Sequence, residues 1–144
     1  MQGFPHVYTT QAVADPESVV RICSAGLDDI VTTPPPEFGG PEGNWSPETL
    51  LVASVADCFI LTFRAIARAS KLDWNDLKVE ADGTLDRVDR VTQFTRFDLR
   101  VSLSLPEGVD ADKAEKILHK SEAACLITNS LKSEITLTTD ISHG

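Results

Sequence analysis

The sequence predicts an α+β fold, and three observations carry that prediction. β-Branched residues crowd short segments between turn residues over positions 7–31, and two further extended segments follow residue 75. One long apolar stretch, opened by Ser46-Pro47-Glu48, has the composition and start signal of a helix. The order of strands, helix, strands, helix, strand lacks the regular alternation of a doubly wound sheet.

The first segments are VYTTQAV, SVVRICS and LDDIVTT, broken at Asp15-Pro16 and Ala25-Gly26. The next ten residues, Pro34-Pro35-Pro36-Glu37-Phe38-Gly39-Gly40-Pro41-Glu42-Gly43, are expected to form neither strand nor helix. Prolines stiffen one end of that loop and glycines permit tight turning at the other. Ser46 then caps a helix, Pro47 suits its first position and Glu48 complements the positive end of its dipole. The helix is expected to continue to about Ser70. Its first half is apolar almost all round, so burial on most sides is expected, with a second copy of the chain as the covering surface.

Residues 75–85 and 92–105 read as strands. In the second, Phe97, Leu99, Val101, Leu103 and Leu105 share one face, while Arg96, Asp98, Arg100, Ser102 and Ser104 share the other. That alternation marks a half-buried strand whose arginines are surface charges. A second helix starts near Asp110, with Ala114, Ile117, Leu118, Ser121 and Cys125 on one stripe, and EITLTTDI closes the chain as a strand.

With 144 residues, of which 24% are charged and 42% apolar, the chain is expected to form one soluble domain over residues 1–144. A net charge of −9 would be repelled by a phosphate backbone, which argues against a nucleic-acid partner. The stretch Leu50 to Phe63 is interrupted by Ser54, Asp57 and Thr62 and reads as too short and polar for a membrane span. The start, MQGFPHVYTT, does not resemble a secretory signal, so three cysteines are expected to be free thiols in the cytoplasm. His6, His119 and His143 are scattered and no CxxC pair exists, so neither a metal site nor a bound cofactor is expected.

On burial habits alone, each cysteine reads as a small core hydrophobe. The surrounding residues change that reading for two of them. Gly39-Gly40-x-x-Gly43, Ser46-Pro47-Glu48-x-Leu50-Leu51 and Ala56-x-Cys58-Phe59 follow in order. Late in the chain stands Cys125-Leu126-Ile127-Thr128-Asn129-Ser130. Together these stretches resemble the OsmC/Ohr family of hydroperoxide-reducing proteins. Its peroxidatic cysteine lies ten residues after the glutamate, as Cys58 lies after Glu48, and its second cysteine precedes a Ser/Thr-Asn-Ser/Ala element. Leu126 stands where many members have proline. The segment Ala14-Asp15-Pro16-Glu17 lacks the arginine that well-known peroxidases of the family place there, and Arg21 follows on the face shared with Cys23.

The resemblance implies antiparallel sheets around long central helices in an intertwined homodimer. It also implies a thiol peroxidase in which Cys58 attacks, Cys125 closes a disulfide and Glu48 assists. The reductant implied is an external dithiol, in related proteins a dihydrolipoyl group. Cys23 is left as a spare.

The chemistry needs a thiolate. The same-face helical neighbours of Cys58 are Leu51, Ser54, Val55, Leu61, Thr62 and Ala65, an apolar wall with two hydroxyls and no cation. Such a wall favours an organic hydroperoxide over hydrogen peroxide, since an apolar tail gains about 25 cal/mol per Å² buried. Glu48 would stand roughly 15 Å from Cys58 along a straight helix. It therefore acts at Cys58 only if the helix breaks or if it comes from the other subunit; otherwise it serves the helix dipole. Two other readings stay open: a thiol enzyme acting on other electrophiles, and a non-catalytic dimer binding a small apolar ligand at its interface.

Overall fold

Turn chemistry sets the length of the first strands. The computed structural model describes residues 1–144, and the chain divides into two compact units, Met1–Leu50 and Leu51–Gly144. In the first, β1 (Gln11–Val13), β2 (Val20–Cys23) and β3 (Ile30–Thr32) pair antiparallel in the order β1-β2-β3. The carboxylate of Asp15 accepts the N–H groups of Glu17 (2.9 Å) and Ser18 (2.7 Å), closing a turn that no strand can enter. Gly26, at φ +78°, turns the chain between β2 and β3. The three segments read from sequence are present, but each is cut to three or four paired residues.

The proline–glycine loop holds one turn of 3-10 helix, Pro36–Phe38, where neither helix nor strand was expected. Proline supplies the φ that the turn needs, and Gly39 leaves it at φ +83°. The carbonyl of Pro35 accepts from both Phe38 and Gly40, and the Thr33 N–H donates to Trp45 O at 3.0 Å, tying the ends of the loop together. Gly40 is the tight point, because a Cβ there would lie 1.8 Å from the carbonyl oxygen of Pro34. Gly40→Ala is expected to force the loop open at a cost of about 1–3 kcal/mol. Limited proteolysis is expected to cut faster within residues 34–45 in that variant than in the wild type.

Beyond the loop, Ser46 opens α1 (Pro47–Ala69) by a reciprocal cap. Its Oγ accepts from the Thr49 N–H at 3.1 Å, and the Thr49 hydroxyl accepts from the Ser46 N–H at 2.9 Å. Threonine thus takes the third-position role that glutamate holds in a capping box. That leaves the Glu48 carboxylate free of the helix end.

In the second unit, β4 (Asp76–Val88) and β5 (Val91–Leu105) form a long hairpin closed by Asp89 and Arg90, both at positive φ (50° and 68°). Two left-handed residues match the twist of the flanking strands, which is why this turn closes a hairpin. The chain continues through α2 (Ala111–Ala124) and a short α3 (Leu126–Asn129) to β6 (Glu134–His143). The sheet order is β4-β5-β6, and β6 runs parallel to β5. This corrects the expectation of purely antiparallel sheets. A connection carrying a helix across the sheet returns the chain to the end from which β5 started, and a strand begun there runs parallel.

The core of this unit follows the two periodicities. Val55, Phe59, Phe63 and Ala67 of α1, spaced by four, are fully buried, as are Phe97, Leu99, Val101, Leu103 and Leu105 along one face of β5. Ala114, Ile117, Leu118 and Ser121 of α2 complete it, and Thr139 of β6 ties α2 to the sheet by donating to Glu115 at 2.7 Å. On the other face of the sheet, Arg96 pairs with a half-buried Asp98 (2.7 Å) and Arg100 with Asp82 (2.6 Å) and Glu80 (3.4 Å), both arginines being exposed as expected.

Helix α1 ends at Ala69, close to the expected Ser70, and departs from expectation only in its apolar extent. It runs 23 residues, beyond the apolar stretch ending at Phe63, and is long and apolar enough by length and composition to cross a membrane. The core helix of a soluble protein passes the same test. One chain by itself buries only one stripe of the helix, which leaves room for the expected second covering copy: Leu61 is 51% exposed, and Leu51, Val52 and Ile60 are half-buried.

Candidate redox site

Cys58 lies about three turns into α1, half-buried, one position before the core residue Phe59. Its Sγ is 3.8 Å from the hydroxyl of Thr62, one helical turn on. The other hydroxyl neighbour, Ser54, is occupied: its Oγ donates to the carbonyl of Leu51 at 2.6 Å.

Cys125 stands where α2 gives way to α3. Its backbone leaves the helical region (φ −64°, ψ 113°), so the residue ends one helix and begins the next. The Thr-Asn-Ser element after it locks this joint. Asn129 Nδ2 donates to Ala123 O (3.1 Å), Asn129 N donates to Cys125 O (3.0 Å), and the buried Thr128 hydroxyl donates to the same carbonyl (3.2 Å). The carbonyls freed at the end of α2 are satisfied by side chains from the next turn. Bending the chain at this point turns the Cys125 side chain inward, where it is 1% exposed.

The fold thereby makes the thiols of Cys58 and Cys125 neighbours within the second unit, close enough for Cys58 to act on the Cys125 thiol, and both are free. Burial pushes the Cys125 thiol up from its ordinary value of 9.0, the N–H and hydroxyl of Thr128 oppose that, and the neighbouring Cys58 thiol adds to the rise. Cys125 therefore stays protonated near neutral pH. A thiol whose pKa is higher folded than unfolded contributes stability that is full below about 9 and is lost as pH rises through the folded value. Reduced wild type is thus expected to lose stability above pH 9, and Cys125→Ser to lose less over the same range in denaturant titrations.

The remaining candidates lie in the first unit. Arg21 is engaged by Asp29 in an exposed ion pair at 3.6 Å. The Cys23 thiol is raised chiefly by burial and then by its hydrogen bond to Asp29, which outweigh the pull of Arg21. Cys23 is thus a poor thiolate. Glu48 has one carboxylate oxygen, Oε2, buried without any hydrogen-bond partner. Helix α1 is unbroken from Pro47 to Ala69, which removes a helix break as the route by which Glu48 would reach a thiol ten residues on. No three histidine, cysteine or acidic side chains cluster as a metal site would require.

Sequence reasoning did not assign roles to Thr128 and Asn129 beyond their place in a motif. The signal was present: a residue three or four positions after a helix break is placed to return a hydrogen bond to it.

Comparison with known proteins agrees with this architecture. The family model described as OsmC-like protein matches residues 39–140. The chain is 32% identical over 100 residues to Peroxiredoxin OsmC of Escherichia coli, covering 69% of this chain and 68% of that one. It is 27% identical over 111 residues to the uncharacterized protein YmaD of Bacillus subtilis, covering 75% and 74%. Among solved structures, an OsmC-like protein of unknown function from Vibrio cholerae superposes with a TM-score of 0.85 at 19% identity, covering 94% of this chain and all of that one. An organic hydroperoxide resistance protein from Elizabethkingia anophelis gives 0.76 at 19% identity, covering 98% and 100%.

Proposed function

The chain belongs to the OsmC-like protein family, and from that premise we propose that it is a cysteine-based peroxidase reducing organic hydroperoxides, and hydrogen peroxide less well. The observation that carries this reading is the proximity of a half-buried thiol, Cys58, to a buried, protonated one, Cys125. The Cys58 thiolate attacks the O–O bond, the alcohol leaves with a proton, and Cys58 holds the oxygen as a sulfenic acid. The Cys125 thiol then condenses with it, releasing water and forming the Cys58–Cys125 disulfide. The hydroperoxide gains two electrons, the thiol pair loses two, and an external dithiol, such as a lipoylated protein, returns them. Burial of Cys125 suits the second step, since a thiol held protonated does not compete for the peroxide.

Three features support a homodimer as the working unit. The exposed apolar side of α1 needs a cover, the short sheet of the first unit is exposed on half of its residues, and the buried Oε2 of Glu48 lacks a partner. In this reading the second copy supplies all three, and Glu48 serves the site of the partner subunit. The site of action is the cytoplasm, where the thiols stay reduced between turnovers.

Treatment with one equivalent of cumene hydroperoxide is expected to give a Cys58–Cys125 disulfide by peptide mass spectrometry, on a protein of twice the chain mass by light scattering. A second reading rests on the missing arginine at Ala14–Glu17: a dimeric protein that binds a small apolar ligand without reacting. Failure to consume any hydroperoxide, with no turnover of other electrophiles, would establish that reading instead.

A further inference from the structure

The hydroxyl of Thr62 has one hydrogen-bond partner in the structure, the sulfur of Cys58. A threonine inside a helix ordinarily spends its hydroxyl on the carbonyl one turn back. Ser54 and Ser121 do so on Leu51 and Ile117, at 2.6 and 2.7 Å. Thr62 does not: its Oγ1 faces Cys58 Sγ at 3.8 Å, within reach of a long hydrogen bond to sulfur. The helical wall around Cys58 offers no other free donor. Ser54 is engaged, Val55 is core, and Leu51, Leu61 and Ala65 are apolar. The ion pairs of Arg96 and Arg100 commit those cations to carboxylates on the opposite face of the sheet.

We infer that Thr62 is a further catalytic residue, whose hydroxyl donates to the Cys58 sulfur and holds it as a thiolate facing Cys125. The inference rests on Cys58 being the reactive thiol of the proposed peroxidase. A thiol can give or receive this hydrogen bond, whereas a thiolate can only receive it, so the interaction strengthens as the proton leaves. Hydrogen bonds to charged groups are the stronger ones, and this one lies on the helix that carries the nucleophile. It keeps the sulfur in one rotamer, on the side where the second thiol waits. After attack on the peroxide the same hydroxyl remains a donor to the sulfenic oxygen, and no proton is lost from it.

Thr62→Val keeps the shape and removes the donor; Thr62→Ser keeps the donor and removes the methyl group. The readout is alkylation of Cys58 by iodoacetamide at pH 7, followed on its own peptide by mass spectrometry. Cys58 is expected to react about 3- to 10-fold more slowly in Thr62→Val, on the scale of a hydrogen bond to a charged group discounted for partial exposure. Thr62→Ser is expected to stay within about twofold of wild type on the same scale. Equal rates in Thr62→Val and wild type overturn the inference. Equal slowing in both variants also overturns it, since that pattern belongs to the methyl group. Should Thr62→Val not fold, the pair Thr62→Ala and Thr62→Ser carries the same comparison. Alkylation needs no peroxide, so a wild type inert to hydroperoxides sinks the proposed peroxidase while these rates still decide the role of Thr62.

Discussion

Cys58→Ser is expected to lower hydroperoxide consumption by at least about 10³-fold, because a serine hydroxyl does not ionise near neutral pH and no other thiol is placed to replace it. Cys125 is buried and raised, and Cys23 is raised by burial and by its bond to Asp29. Cys125→Ser is expected to behave differently. Its first turnover survives, giving a burst of about one equivalent of alcohol per chain, because only the attacking thiolate takes part in that step. Later turnovers then stall, or continue only as fast as added small thiols reach Cys58. With excess peroxide the sulfenic acid, lacking its partner, is expected to advance to the sulfinic acid, a gain of two oxygens on the Cys58 peptide. Stopped-flow peroxide assays and peptide mass spectrometry separate the two variants. Should Cys58→Ser consume peroxide at the wild-type rate, the assignment of the nucleophile fails.

Phe63→Ala is expected to destabilise the second unit by about 3–5 kcal/mol, the range for removing a fully buried aromatic ring. Phe63 is 0% exposed within the cluster formed by α1, β5 and α2, and its ring meets Trp74 edge-on at a centroid distance of 5.4 Å. The loss combines transfer of the ring, the cavity left behind and the aromatic pair, the last contributing about 0.5–1.5 kcal/mol of its own. Phe63 lies five positions beyond Cys58 and plays no part in the thiol chemistry. The variant is therefore expected to retain the wild-type rate of Cys58 alkylation wherever it remains folded. Urea denaturation followed by tryptophan fluorescence reads the destabilisation. A loss below 1 kcal/mol would mean that α1 does not depend on this stripe for its place against the sheet.

Helices α1 and α2 and the strands β4 and β5 were legible because each has a local cause, whereas the hairpin turn at Asp89-Arg90 and the short α3 were not read. Ser46 and Pro47 start α1 and Asp110 caps α2, whose side chain accepts from the Asp112 N–H. Strict alternation from Phe97 to Leu105 identifies the buried face of β5, and those five residues are the buried ones. The direction of β6 was not legible. EITLTTDI pairs equally well on paper with either orientation, and only the path of α2 and α3 across the sheet decides it. The extent of the first three strands was missed for a related reason: their β-branched residues suit a sheet, but the turns at Asp15 and Gly26 leave too few residues to pair.

The sequence by itself determined the identity and order of the chemical groups: the loop, the cap, Glu48, Cys58, and Cys125 followed by Thr-Asn-Ser. It did so because motifs and caps are short-range and survive without a folded context. Tertiary structure alone decided which of those groups meet. The two thiols, 67 positions apart in sequence, become neighbours because α2 packs on the core and breaks at Cys125, turning that residue inward toward α1. It also decided which hydroxyl beside Cys58 remains free, since helix geometry commits Ser54 to a carbonyl and leaves Thr62 to the sulfur. Contacts between distant residues depend on how elements pack against a shared core, and that information is spread over all of them rather than written at either cysteine.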